Sequence, residues 1–169
     1  MSISEVLLPE LEHELVTTRR CLERVPETAL AFRPHPTSSP AGELAHHISQ
    51  LPMWGAMIFD RDELDIAPGG TPAWLPKTAE SIAAVLEHFD TQAVQLKDWL
   101  ARTDDAAMMH TWTLLKNGAP VLSMPRIAVY RSFVLKHMVH HRGQLSVYLR
   151  MLDVPVPSIY GPSGDEGTL

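Results

Sequence analysis

The sequence predicts an all-α fold, a four-helix bundle forming a single domain over residues 1–169. Three observations carry this expectation. Four segments repeat apolar residues every three or four positions, the spacing of one helix face. The stretches between them are rich in proline, glycine and small polar residues. The one β-prone region is short enough only for a hairpin, placed between the third and fourth helices.

The first helix is expected over residues 3–25, where Leu8, Leu11, Leu15, Thr18, Leu22 and Val25 recur at spacings of 3 and 4. Pro9 suits only the first turns of a helix, so the regular part should begin there. Residues 26–39, rich in Pro, Ser and Thr, read as an irregular linker. Ser39 then reads as an N-cap with Pro40 at the first helical position. The second helix, residues 41–58, has a stripe of Leu44, Ile48, Leu51, Gly55 and Ile58. Pro52 lies inside it and should kink it or break its hydrogen-bond ladder. Residues 60–76 contain Pro68-Gly69-Gly70 and two further prolines. Long connections of this kind often serve as lids or binding loops.

The third helix, residues 79–101, buries Ile82, Val85, Leu86, Phe89, Ala93, Leu96 and Leu100 on one face. Two β-prone runs then flank Lys116-Asn117-Gly118, a hairpin signal, and Pro120 confines the second run to an edge. The fourth helix spans residues 130–152. The prolines beyond it exclude helix and make residues 154–169 an extended tail.

The fourth helix carries the chemistry. His137 and His141 lie one turn apart, about 40° from each other on one face, so both imidazoles can reach one metal ion. Tyr130, Phe133, Val134, Leu145, Tyr148 and Leu152 fall within roughly 80° of His137, so the pair should point inward. On the second helix, His47 lies about 60° from Leu44, beside Trp54, whereas His46 lies about 160° away toward solvent. If the two stripes face each other, His47 completes a set of three neutral imidazoles with open coordination positions, the pattern of a catalytic metal site. Core histidines with satisfied hydrogen bonds are the alternative.

Other residues fall near this set. Gln144 shares the ligand face, where it can orient a substrate or form a hydrogen bond within the bundle. Tyr130 and Tyr148 lie within about 20° of His137 and can line a cavity, with packing as the alternative. His140, about 60° away, reads as second to the ligands or as surface. Glu43 precedes His47 by one turn and can accept its second N–H, or can simply sit near the positive end of the helix dipole. Trp54 can wall a pocket or pack in the core. Arg142 points away from the ligand face, toward an ion pair or an interhelix contact.

Composition narrows the partners. The net charge is -6 with no Lys/Arg cluster, which argues against nucleic acid or an anionic membrane. No run of apolar residues is long enough for a membrane span. The start, Met1-Ser-Ile-Ser-Glu, lacks the basic residues of a signal peptide. One cysteine, Cys21, rules out an internal disulfide and fits a cytoplasmic location. It falls within a helical pattern and reads as a buried, inert thiol.

His137-Met-Val-His-His-Arg-Gly-Gln-Leu145, followed by Tyr148-Leu-Arg and Pro155-Val-Pro, resembles the fourth-helix element of the DinB-like family of metal-binding proteins. Gly42-Glu-Leu-Ala-His-His-Ile48, Arg33-Pro-His-Pro and Thr111-Trp-Thr…Asn117-Gly…Met124-Pro-Arg match in the same order along the chain. The resemblance implies an up-down-down-up bundle, often a homodimer. It also implies a divalent metal on His47, His137 and His141, with zinc or nickel favoured over iron. Some similar proteins are thiol-dependent transferases using bacillithiol, mycothiol or glutathione, so a small-molecule substrate and a low-molecular-weight thiol are expected. A non-catalytic metal- or ligand-binding stress-response protein and a metal-water hydrolase are the alternatives, since fold and ligands do not fix chemistry.

Overall fold

The structure, a computed structural model, describes residues 2–167; Met1, Thr168 and Leu169, which belong to the expected start and tail, lie outside them. Four long helical segments carry most of the chain. Helix α1 (Ile3–Glu23) begins before Pro9, not at it, because Ser2 and Glu5 form a reciprocal capping box. Helix α2 (Ala41–Asp60) runs through Pro52 without interruption. Pro40 precedes its first residue, and the Ser39 hydroxyl donates to Glu43 at 2.7 Å, so Ser39 does not cap the backbone as expected. Helix α3 (Ile82–Arg102) is capped by the Ser81 side chain. A short helix α4 (Asp105–Met109) follows.

Strand β1 (Glu63–Asp65) lies within the connection after α2, and strands β2 (Thr111–Lys116) and β3 (Ala119–Pro125) follow α4. Strand β2 pairs antiparallel with β3 around Asn117 and Gly118, whose φ values are 53° and 74°. The sequence reading did not foresee β1, which pairs parallel with β2 and makes a three-stranded sheet of order β1-β2-β3.

The last helical segment starts earlier than expected, at α5 (Arg126–Tyr130). It continues through a π-helical turn (Arg131–Leu135) into α6 (Lys136–Met151). Helix α2 packs on α3 and α6, and α1 packs on α3 and α6. Their facing stripes, including Leu11, Leu22, Ile48, Leu51, Leu96, Leu100, Leu145 and Leu149, are fully buried. The α2–α3 approach is close at Gly55, where an added Cβ would lie 2.7 Å from Leu96 Cδ1. Among the described residues no helix is long and apolar enough to cross a membrane.

Arg142 is the largest fully buried side chain. Its guanidinium pairs with the Glu14 carboxylate at 2.6 Å and donates to Thr18 Oγ1 and to the Tyr160 hydroxyl. Tyr160 in turn donates to Glu14 Oε1 at 2.8 Å. The segment after α6 is non-helical but folds back. Glu166 accepts from Arg20 and Arg24, Asp165 accepts from Arg150, and Val156 is buried. Replacing Arg142 strands a buried carboxylate. Arg142→Met should therefore cost about 3–5 kcal/mol of unfolding free energy. Combining it with Glu14→Gln should recover part of that loss, as urea denaturation of both variants will show.

Candidate metal centre

Helix α2 presents His47, and the first turns of α6 present His137 and His141. The structure brings the three together. One ring nitrogen from each lies within 4.8 Å of the others. The Nε2 atoms of His47 and His137 are 3.4 Å apart. Ring centroids lie 4.6 Å apart for His47–His141 and His137–His141, and 5.1 Å apart for His47–His137. Two imidazole nitrogens sharing one tetrahedral ion at about 2.0–2.1 Å are about 3.3 Å apart. The observed spacing fits such an ion.

The protonation state fits as well. Burial lowers all three histidine pKa values. His47 is pushed down to about 4, by burial first and then by His141, His137 and His46. For His137 a hydrogen bond to the Phe133 backbone, in the π turn, opposes the effect of burial. For His141 the opposing group is Gln144, whose Oε1 lies 2.6 Å from Nδ1. A carbonyl oxygen only accepts, so Nδ1 carries the proton and Nε2 keeps its lone pair. Neutral imidazole is the ligating form.

His47 and His141 lie in the wall of a cavity of about 780 Å³. Leu44, Trp54, Ile66, Trp74, Leu75 and Tyr148 supply its apolar surface. Trp54 and Trp74 have ring centroids 4.9 Å apart and planes tilted by 47°. Tyr148 donates its hydroxyl to the Ser39 carbonyl at 3.1 Å, which fixes the ring at the cavity edge.

Several expected neighbours stand elsewhere. Tyr130 does not line the cavity; it is buried against Phe59, and its hydroxyl has no hydrogen-bond partner. The π turn explains this. One extra residue in the helix rotates everything upstream by about 100° relative to a regular α-helix, so Tyr130 leaves the ligand face. Phe133, expected inward, is 38% exposed for the same reason. Glu43 lines the cavity but bonds to Ser39 instead of His47. His140 is exposed, its ring centroid 4.8 Å from that of His141. His46 is half-buried rather than exposed, and faces His88 at 6.4 Å between centroids.

Trp74, Lys77 and Lys116 line the cavity and were not singled out from the sequence. Trp74 belongs to the long connection flagged as a binding loop, while Lys116 had no sequence signal. Asp65 links their two segments. Its carboxylate accepts from the backbone N–H groups of Ala67, Asn117 and Gly118 at 2.8, 3.0 and 2.7 Å. Those bonds hold its pKa below the usual carboxylate range.

A mostly helical chain with three converging imidazoles, two of them in the wall of an aromatic cavity, is a candidate metal-binding protein. The chain belongs to the DinB superfamily, whose signature matches residues 10–145. It is similar to a DinB-like protein from Bacillus cereus ATCC 10987, at 17% identity and a TM-score of 0.68, over 94% of this chain and 98% of that one. A DinB-like protein (YjoA) from Bacillus subtilis has 16% identity and a TM-score of 0.68, over 90% and 96% of the two chains. Over 34 residues the chain is 47% identical to the uncharacterized protein YrdA of Bacillus subtilis (strain 168), a stretch that is 20% of each. The chain thus spans about a fifth of that relative's length in this match.

Each of His47→Ala, His137→Ala and His141→Ala should remove most bound metal while preserving far-UV helicity. His46→Ala and His140→Ala should leave the stoichiometry unchanged, as metal analysis of untagged protein will reveal.

The metal-free protein should also respond to pH. An unfolded histidine titrates near 6.5, about 2.5 above the folded His47. As pH falls from about 6.5 toward 4 the unfolded state takes up the proton first, so stability falls through that window. Thermal unfolding at pH 7.5 and 5 should show this decline, and His47→Gln should flatten it.

Proposed function

We propose that this chain binds a divalent metal through His47, His137 and His141 and acts as a metal-dependent thiol S-transferase. The single observation that carries the reading is the convergence of three neutral imidazoles, two of which, His47 and His141, line a ligand-sized cavity. The four long helices would then form an up-down-down-up bundle with the site between α2 and α6, as the pairing of α2 with α3 and α6 supports.

When bound, the ion supplies positive charge that favours a thiolate over a thiol at neutral pH. The chain's own groups do the rest. Gln144 fixes the tautomer and orientation of His141. Trp54, Trp74 and Tyr148 line the cavity and position an electrophile beside the sulfur. In the transfer the thiol sulfur bonds to an electrophilic carbon, the thiol proton passes to water, and the leaving group departs with the electron pair of its broken bond. Among the described residues Glu43 is the one carboxylate lining the cavity, and it is engaged by Ser39, which leaves a hydrolase without a free carboxylate base.

No protein thiol competes for this role. Cys21 is fully buried, and burial pushes its pKa up to about 11. In a cobalt-substituted protein, a panel of low-molecular-weight thiols should therefore change the visible spectrum through a cobalt–sulfur bond. The change should persist in Cys21→Ser and vanish in His141→Ala. A spectrum that no thiol perturbs would replace the transferase reading with that of a non-catalytic metal- or ligand-binding protein.

A further inference from the structure

The cavity above the histidines carries a charge pattern opposed to that of the chain. The whole sequence has a net charge of -6 and four lysines, Lys77, Lys97, Lys116 and Lys136. Two of them, Lys77 and Lys116, line this one cavity. Among the described residues Glu43 is the only carboxylate in its lining, and Ser39 already donates to it. Lys77 has a partner in Glu80 at 3.4 Å, but the two side chains are 64% and 81% exposed. Solvent screens such a pair strongly. Lys116 makes no ion pair among the described residues. With the histidines neutral, two ammonium groups against one carboxylate leave the lining with a positive balance, and clefts with low-dielectric walls focus the field of one sign of charge.

Another part of the lining is aromatic. Trp54 and Trp74 meet at 4.9 Å and, with Leu75 and Ile66, give the cavity a broad apolar side. Its volume, about 780 Å³, falls within the range of sites that enclose a small organic ligand. Asp65 ties the segment before Trp74 to the turn after Lys116, which fixes these two parts of the lining relative to each other.

We propose that this cavity binds a small organic anion with a flat apolar body, its carboxylate in the field of Lys77 and Lys116 and its body against Trp54 and Trp74. The inference deepens the transferase reading by naming the substrate class of the same site, and rests on that reading only for the reaction.

Binding is measured on the metal-loaded full chain without thiol, by calorimetry and by quenching of tryptophan fluorescence. The probes are 3-phenylpropionate and its uncharged isostere 3-phenylpropionamide. The carboxylate should bind at least about fivefold tighter than the amide at low salt. Lys77→Gln/Lys116→Gln should abolish that preference while leaving amide affinity unchanged. Lys97→Gln, which removes a lysine lining a separate groove, should retain the preference. Trp74→Leu should weaken both probes by about threefold or more. Both cavity lysines are exposed, so the double variant should keep its far-UV spectrum; Lys116→Gln alone gives a second reading of the same preference.

Equal affinity for acid and amide, a preference that survives the double lysine variant, or binding of neither probe would overturn the inference. The metal itself attracts carboxylates, and survival of the preference in the double variant is the signature of that cause. The two readings fail separately. Charge-selective binding with no thiol effect on the cobalt spectrum removes the transferase, whereas a thiol effect without charge selectivity removes the anion site.

Discussion

The orientation of α6 about its own axis decides whether this protein has a site at all, and Arg142 sets that orientation. His141 and Arg142 are adjacent, so their side chains leave the helix about 100° apart. Arg142 is bound on the α1 side by Glu14 and Thr18 and is covered by Tyr160 from the returning C-terminal segment. A guanidinium stripped of water needs all of those partners, so α6 cannot roll without breaking them. With that face committed to α1, the adjacent face carrying His137 and His141 turns toward α2 and meets His47. The ligand set therefore depends on a salt bridge that touches no ligand.

This division also explains which features were legible in the sequence. His47, His137 and His141 sit on regular α-helix, where a 100° step per residue places side chains correctly, and the structure brings all three together. The same arithmetic fails across the π turn, whose inserted residue moves Tyr130 against Phe59 and exposes Phe133. Helical periodicity carries no mark of where a π turn will fall. Pro52 was expected to disturb α2 because proline lacks an N–H, yet the helix continues through it among buried neighbours. Strand β1 was missed because three residues are too few for alternation to register, and its pairing to β2 is non-local.

The residues that complete the cavity lining were the least legible. Trp74, Lys77 and Lys116 reach the cavity from a connection and a strand end, and nothing in their local sequence states where they meet. Their placement depends on Asp65, which replaces three peptide–water hydrogen bonds with three to one carboxylate and so joins segments about fifty residues apart in sequence. A motif of this kind is recognised only after the chain is folded, because its donors are backbone groups that any residue supplies.

The comparison with solved structures bears on how the two layers of this protein divide their work. Identities of 16–17% accompany TM-scores of 0.68 over nearly whole chains, so the helical frame is specified by burial pattern and tolerates wide change in the residues that fill it. The imidazoles are mounted on that frame, where packing holds them to within the distance that one ion can span. The cavity above them is finished by segments outside the long helices. Those segments carry fewer buried contacts, and their side chains can change without disturbing the frame. On this division the helices hold the three imidazoles, and the connection from β1 to α3 together with the β2–β3 turn completes the cavity beside them.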